Sequence, residues 1–421
     1  MRLPYFFEIL GTLSTLCVIA CEPVQFPPDH LYRATTAETV SSPVALDCND
    51  NGRKEILIGS FDGNCYLLDD SLRDLPGWPK FSRAGFFSSP ALWDIDHDQT
   101  PEIFIGSDKG ALYGWRCDGS NVSGFPIFLE KQIWSSPAII ADSLLAIGSE
   151  GRMFVFERKG NAVAGWPQEI RGWASASPAW HGDVLVISTL TRGETSRGYL
   201  YAWHLSGELY PNFPVHLKMD SDSSPSLADL DRDGKVEIIV GDDAGLLHAF
   251  RLDGSELPHF PRLIGEAVQA SPALADINDD GMLEIIIGTT DGALHVWNAL
   301  GDCALGWPAR LGGELNGSAA IARIAGGEVR LVIGAGNHRL YAFHENGKIA
   351  EGFPIDCGDA IFSSPLIADV DNNGMLDIVV GANNGIHLIK DRWPVFNNKD
   401  GQHKTTWPMF RQNAQRTGAL E

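Results

Sequence analysis

The sequence predicts an all-β fold, an eight-bladed β-propeller of four-stranded antiparallel blades, and three observations carry that prediction. A Ser-Pro or Ser-Ala step recurs at Ser42, Ser89, Ser136, Ser177, Ser224, Ser271, Ser318 and Ser364, and self-similarity at intervals of 41 to 47 residues belongs to propellers and solenoids. Within each unit the apolar runs last only four to six residues and are rich in Ile, Val and aromatics. Such runs suit strands and exclude helical solenoids. Eight units of about 47 residues take up roughly 376 of the 421 positions, leaving no room for a second domain. Seven blades plus a stray unit is the alternative count.

The fifth unit shows the elements in order. A first strand follows Ser224-Pro225 and ends at an acidic turn beginning with Asp229. A second runs into Gly241, a third ends at Phe250, and Phe260-Pro261 leads into a fourth. Dipeptides such as Asp62-Gly63 and Asp291-Gly292 supply the positive φ of a tight hairpin between the second and third strands. A ring must hide its edge strands, so segments from both chain ends are expected to meet in one blade. Phe26-Pro27, Trp393-Pro394 and Trp407-Pro408 are the aromatic-Pro steps available near the ends.

The first 20 residues read as an export signal, with Arg2 at the start and an apolar stretch from Ile9 to Ala20. The stretch is too short to cross a bilayer as a helix but suits a signal-peptide core. Val18-Ile19-Ala20-Cys21 resembles the lipobox of bacterial lipoproteins, which implies acylation of Cys21 and a tether to a membrane surface. An ordinary secretory signal is the competing reading. Residues 21–40 then form an anchor, linker and closing strand, and residues 41–421 the propeller; the expected location is the cell envelope or outside the cell. Beyond Cys17 and Cys21 the remaining cysteines are Cys48, Cys65, Cys117, Cys303 and Cys357, an odd and widely spaced set from which no disulfide framework is expected.

The turn between first and second strands carries the strongest chemical signal. Five units place oxygen side chains at turn positions 1, 3, 5 and 9. These are Asp47, Asn49, Asn51 and Glu55; Asp94, Asp96, Asp98 and Glu102; Asp229, Asp231, Asp233 and Glu237; Asp276, Asn278, Asp280 and Glu284; and Asp369, Asp371, Asn373 and Asp377. Position 6 is Gly except at Gln99. Alternate oxygens in a tight loop suit a hard cation with six to eight oxygen ligands, and an all-protein cage favours Ca²⁺ over Mg²⁺. The last acid follows the Gly by three residues rather than six and strands flank the loop, so this is not an EF-hand. Solvated Asp/Asn-Gly turns are the plain alternative. The five loops contribute sixteen carboxylates to the net charge of −22, and five Ca²⁺ would leave the chain near −12. A surface of that sign disfavours nucleic acid and anionic lipid.

Residues 271–288, Ser-Pro-Ala-Leu-Ala-Asp-Ile-Asn-Asp-Asp-Gly-Met-Leu-Glu-Ile-Ile-Ile-Gly, resemble an FG-GAP repeat, also met as the VCBS repeat, the unit of integrin α-subunit propellers. The resemblance implies a propeller whose loops hold calcium through positions 1, 3, 5 and 9 and a main-chain carbonyl at position 7, here Arg53, Thr100, Lys235, Met282 and Met375. It is specific for fold and loop and unspecific for activity.

Units three, four and seven shorten or lose the acidic turn and are expected to hold no calcium. Unit four also lengthens its next hairpin over residues 189–197, and irregular loops on a rigid scaffold are common binding surfaces. Trp78, Phe125, Trp166, Phe213, Phe260, Trp307 and Phe353 each precede Pro and recur with the repeat, which argues for packing between sheets. Trp134, Trp173 and Trp180 break the repeat and are the ligand-binding candidates. His248, His295 and His387 recur on third strands, where packing explains them better than a metal triad.

The chain has no HExxH, no G-x-S-x-G elbow and no Walker loop, and no catalytic residue is assigned. The Trp-docking repeat of eight-bladed quinone-dependent dehydrogenases is not recognised. The expected function is an exported, calcium-binding, non-catalytic binding or adhesion module with a protein or carbohydrate ligand and no nucleic acid. The alternatives are a calcium-dependent polysaccharide lyase similar to family 11 rhamnogalacturonan lyases, and a scaffold subunit of an envelope complex.

Overall fold

Short β-branched and aromatic runs bounded by turn residues form the strands, which the computed structural model arranges as eight four-stranded antiparallel sheets around one axis. The structure describes residues 26–191, 197–396 and 407–420. The expected signal segment, Cys21 and part of the long hairpin in blade four lie outside the described residues. In blade one the strands run outward from the axis as Val44–Leu46, Glu55–Gly59, Asn64–Leu68 and Lys80–Phe81. Second strands such as Glu102–Gly106 and Glu284–Gly288 are buried along their whole length, because neighbouring blades cover both faces. In blades one to seven the fourth strands have only two residues and are half-exposed or exposed, which keeps those outer edges short.

The recurring serine has a definite task. Its N–H donates to the Oγ of the corresponding serine in the next blade, from Ser42 to Ser89 and onward, at 2.8–3.1 Å. Ser364 donates to Ser42 at 3.0 Å and closes the circle. The glycine ending most second strands is equally constrained by packing. A Cβ at Gly106, Gly241 or Gly334 would lie 2.2 Å from Ile133, Val268 or Ile361 at the entry to the next blade.

Segments from early and late in the chain meet in blade eight, although the final residues do not. His30–Ala34 adds outside Gly385–Pro394, in register from His30 opposite Ile389 to Ala34 opposite Gly385. The closing strand therefore lies just beyond Phe26-Pro27. Trp407 does not close a blade; it begins a segment that runs round the axis.

Six innermost strands give that segment the N–H three residues past the ring serine. Ile321 and Ile367 donate to the carbonyls of Trp407 and Pro408, Leu92 and Ile139 to Ala414 and Gln415, and Trp180 and Leu227 to Thr417 and Gly418, at 2.7–3.0 Å. Residues 407–420 thus pass from blade seven through eight to five. Two arginines of the segment are almost wholly buried, Arg411 at 1% and Arg416 at 0% exposure. Arg416 donates to the carbonyls of Pro90, Phe410, Ser42 and Pro43 at 2.6–3.1 Å. Arg411 donates to those of Pro178 and Pro225. Burial pulls both guanidinium groups down to about 9, with Arg416 adding repulsion at Arg411.

One covalent tie was not expected. Cys48 and Cys117 form a disulfide that joins the acidic loop of blade one to the turn after the third strand of blade two, across 69 residues. Closing a loop of that size contributes about 2–3 kcal/mol after discounting the loop-entropy value. Unfolding entropy for a ring of this length is roughly 0.8 kcal/mol per K, so Cys117→Ser is expected to lower the melting temperature by about 3 °C. Differential scanning calorimetry with and without reductant checks it, since the variant should lose the sensitivity to reductant that the parent shows.

Candidate functional site

The five acidic turns share one backbone. Positions 4 and 6 are left-handed in all of them, as at Asp50 (φ 55°) and Gly52 (φ 82°), which explains the recurring Gly; Gln99 takes the same conformation at φ 75° with a strain Gly avoids. Three hydrogen bonds repeat in every loop. The position-1 carboxylate accepts from the position-6 N–H at 2.7–3.0 Å, as Asp47 does from Gly52 and Asp229 from Gly234. The position-5 side chain accepts from the position-7 N–H at 2.7–2.8 Å. The position-9 carboxylate accepts from the position-2 N–H at 2.8–3.0 Å.

These bonds leave oxygen atoms over. Asp229 Oδ1, Glu237 Oε1, Asp276 Oδ1 and Asp371 Oδ1 are buried with no hydrogen-bond partner. Carboxylate oxygens from Asp94, Asp96 and Glu102, from Asp229, Asp231 and Glu237, and from Asp369, Asp371 and Asp377 lie within 4.8 Å of one another. Burial pushes the carboxyls of Glu237 and Glu284 up to about 7 and that of Asp377 to about 6, with neighbouring acids adding to the effect. Orphaned, crowded oxygens of this kind fit a bound hard cation.

Local charge is balanced loop by loop. Where position 3 is Asp, a basic residue late in or just past the third strand pairs with it: Arg116 with Asp96 at 3.3 Å, Arg251 with Asp231 at 3.0 Å, Lys390 with Asp371 at 3.0 Å. Where position 3 is Asn, that neighbour is Asp69 or Asn298, and the amides of Asn49 and Asn278 face Glu55 and Glu284 instead. Each cage therefore keeps a net charge of −2 or −3, close to what one divalent ion neutralises. Blades three, four and seven make the same connection with short turns, at Ala141-Asp142, Gly182-Asp183 and Gly326-Gly327. In blade seven the buried Arg323 reaches the neighbouring loop, donating to the Asp276 carbonyl at 2.6 Å and to Asp279 at 2.7 Å.

The candidate tryptophans divide. Trp134 and Trp173 have ring centroids 5.2 Å apart, and Phe87 and Phe61 extend the contact at 5.7 and 6.0 Å. This patch spans blades one to four on the face opposite the acidic loops, and Phe87 is 41% exposed. Trp180 lies elsewhere, on the innermost strand of blade four, where its indole donates to the Gly182 carbonyl. Aromatic residues before Pro pack between blades: Trp78, Trp166 and Trp307 lie 5.5–5.9 Å from Trp115, Trp203 and Phe343 and donate to carbonyls of the next blade.

The third-strand histidines go separate ways. His248 is held by Glu256 at 2.6 Å and Asp242 at 3.3 Å, whereas His295 stacks on Trp297. His387 meets His30 of the closing strand, Nδ1 to Nε2 at 2.9 Å, beside the buried Cys357. Burial holds the two imidazoles at about 3 and 4, so both are neutral, and lifts the thiol to about 12.

Fold and loops together define an eight-bladed propeller with five acidic cages on one face. No protein-family model matches the chain, and no curated protein does either. Solved structures share the fold. BamB from Moraxella catarrhalis is 17% identical with a TM-score of 0.56, covering 88% of this chain and 100% of that one. BBS1N in complex with ARL6DN is 11% identical at 0.53, covering 88% and 99%. A europium-containing methanol dehydrogenase is 11% identical at 0.59, covering 83% and 84%. At these identities the likeness is one of fold. Among the described residues no helix is long and apolar enough to cross a membrane.

Proposed function

We propose that this chain is an exported, calcium-stabilised propeller, with loops of the FG-GAP kind, that works at the cell envelope as a non-catalytic binding module. One observation carries the non-catalytic reading. Propeller enzymes collect their reacting groups at the axis, and here residues 407–420 fill it, with Arg411 and Arg416 committed to main-chain carbonyls. Binding is then left to the faces. The patch of Phe61, Phe87, Trp134 and Trp173 is the surface we assign to the ligand, because aromatic rings supply large contact area at small entropic cost. The complex of BBS1N with ARL6DN supports a protein ligand for such a fold; a row of aromatic rings suits a sugar polymer equally well.

The test incubates the protein, from Glu22 onward, with a panel of polysaccharides with and without calcium. Retention and the ultraviolet absorbance of unsaturated uronic-acid ends are both read. Absence of new absorbance is expected, and calcium-dependent absorbance would overturn the reading in favour of a lyase. Retention on one polymer should fall about tenfold in Trp134→Ala, the size of a lost aromatic contact of ~1.4 kcal/mol. Where no polymer is retained, the same variant is compared with the parent for capture of envelope proteins.

A further inference from the structure

The seam where the ring closes contains a cluster that the calcium loops do not explain. His30 comes from the closing strand, His387 from the third strand of blade eight, and Cys357 from the residue after the fourth strand of blade seven, Ile355–Asp356. They are exposed by only 5%, 0% and 0%. Ligand atoms of the three lie within 4.8 Å of one another.

The hydrogen bonds around them favour ligation. Asn384 Oδ1 faces His387 Nε2 at 3.0 Å, and the Asn384 amide donates to the Cys357 carbonyl at 2.9 Å. With its proton on Nε2, His387 turns the lone pair of Nδ1 toward His30 and Cys357. That is the outer partner a metal-binding imidazole ordinarily has. Nδ1 of His30 is buried with no hydrogen-bond partner. The corresponding third-strand position is Tyr in blades one, two, four and seven, at Tyr66, Tyr113, Tyr201 and Tyr341. Packing alone would accept Tyr there.

We propose that His30, Cys357 and His387 bind one thiophilic metal ion of the Zn²⁺ class, clasping the closing strand to blades seven and eight. Two neutral imidazoles and a thiolate suit that ion, and solvent supplies its fourth ligand. On binding, the Cys357 thiol loses its proton to solvent. The His30 proton passes from Nε2 to the unpartnered Nδ1, freeing Nε2 for the metal.

The test titrates the protein with Co²⁺ and Zn²⁺ in saturating calcium, so that the oxygen cages are already filled. One Co²⁺ per chain with a thiolate charge-transfer band is expected, displaced by Zn²⁺. The band should vanish in Cys357→Ser. His387→Tyr borrows the residue of four other blades, so it should fold with parental circular dichroism while losing at least 100-fold in affinity. The proposal is overturned if the parent takes up no stoichiometric Co²⁺, or if both variants keep the band and the affinity.

Discussion

Arg416→Ala should lower the melting temperature by about 5 °C and expose residues 407–420 to proteolysis. The guanidinium serves four main-chain carbonyls, those of Ser42, Pro43, Pro90 and Phe410, which belong to blade one, blade two and the segment itself. A hydrogen bond to a charged group contributes about 1.5–3 kcal/mol, and a buried acceptor left without a donor costs about 1–3 kcal/mol. Against this stands the cost of burying the charge, which alanine recovers. A net loss of about 4 kcal/mol follows, or about 5 °C at roughly 0.8 kcal/mol per K. Arg416→Met separates volume from hydrogen bonding: it fills the space without a donor and should fall almost as far. Arg416→Lys should lie between, because one ammonium cannot reach all four oxygens. A calorimetric scan placing Arg416→Ala within 1 °C of the parent, with unchanged proteolysis, would show that the segment does not depend on this residue.

Much of the ring was legible because its parts repeat. The serine step marks the hydrogen-bonded circle from Ser42 to Ser364, and the acidic spacing marks cages whose backbone is the same in all five copies. The closing strand was expected within residues 21–40, where His30–Ala34 lies, but its register was not legible, since it has no copy elsewhere against which to set it. The axial segment was hidden for a physical reason. Its partners are backbone N–H and carbonyl groups of the innermost strands and the loops leading into them, and no blade side chain marks those groups in the sequence. Phase did carry an unused signal for the disulfide: Cys48 follows position 1 of its loop and Cys117 follows a third strand in the next blade, so both fall at the same end of the ring. The contact of His30 with Cys357 and His387 depends on closure itself. Trp180 breaks the repeat in side chain only: its N–H meets the axial segment as the equivalent residues of five other blades do, and its indole bonds the Gly182 carbonyl, apart from the patch around Trp134 and Trp173.

Removing calcium should produce a larger change than any single substitution. For a loop of this type a Kd of about 0.1 mM in about 1 mM calcium gives RT ln(1 + [L]/Kd), or roughly 1.4 kcal/mol per site. Five independent cages then contribute about 7 kcal/mol, on the scale of a domain's net stability. Chelator should lower the melting temperature by about 9 °C relative to saturating calcium. The position-9 carboxylates would link each ion to the sheet: Glu237 begins a second strand, bonds the Leu230 N–H with one oxygen and keeps the other buried without a partner. Without the cation that oxygen sits beside Asp229 and Asp231, and burial and like charge favour its protonation. Glu237→Gln removes one charge from one cage and should reduce the chelator-sensitive shift by about one fifth, leaving the other four loops intact. Identical melting curves in chelator and in calcium would remove calcium from the account. They would leave Arg116, Arg251 and Lys390 as the charges that balance three of these loops, and the amides of Asn49 and Asn278 as the partners of Glu55 and Glu284.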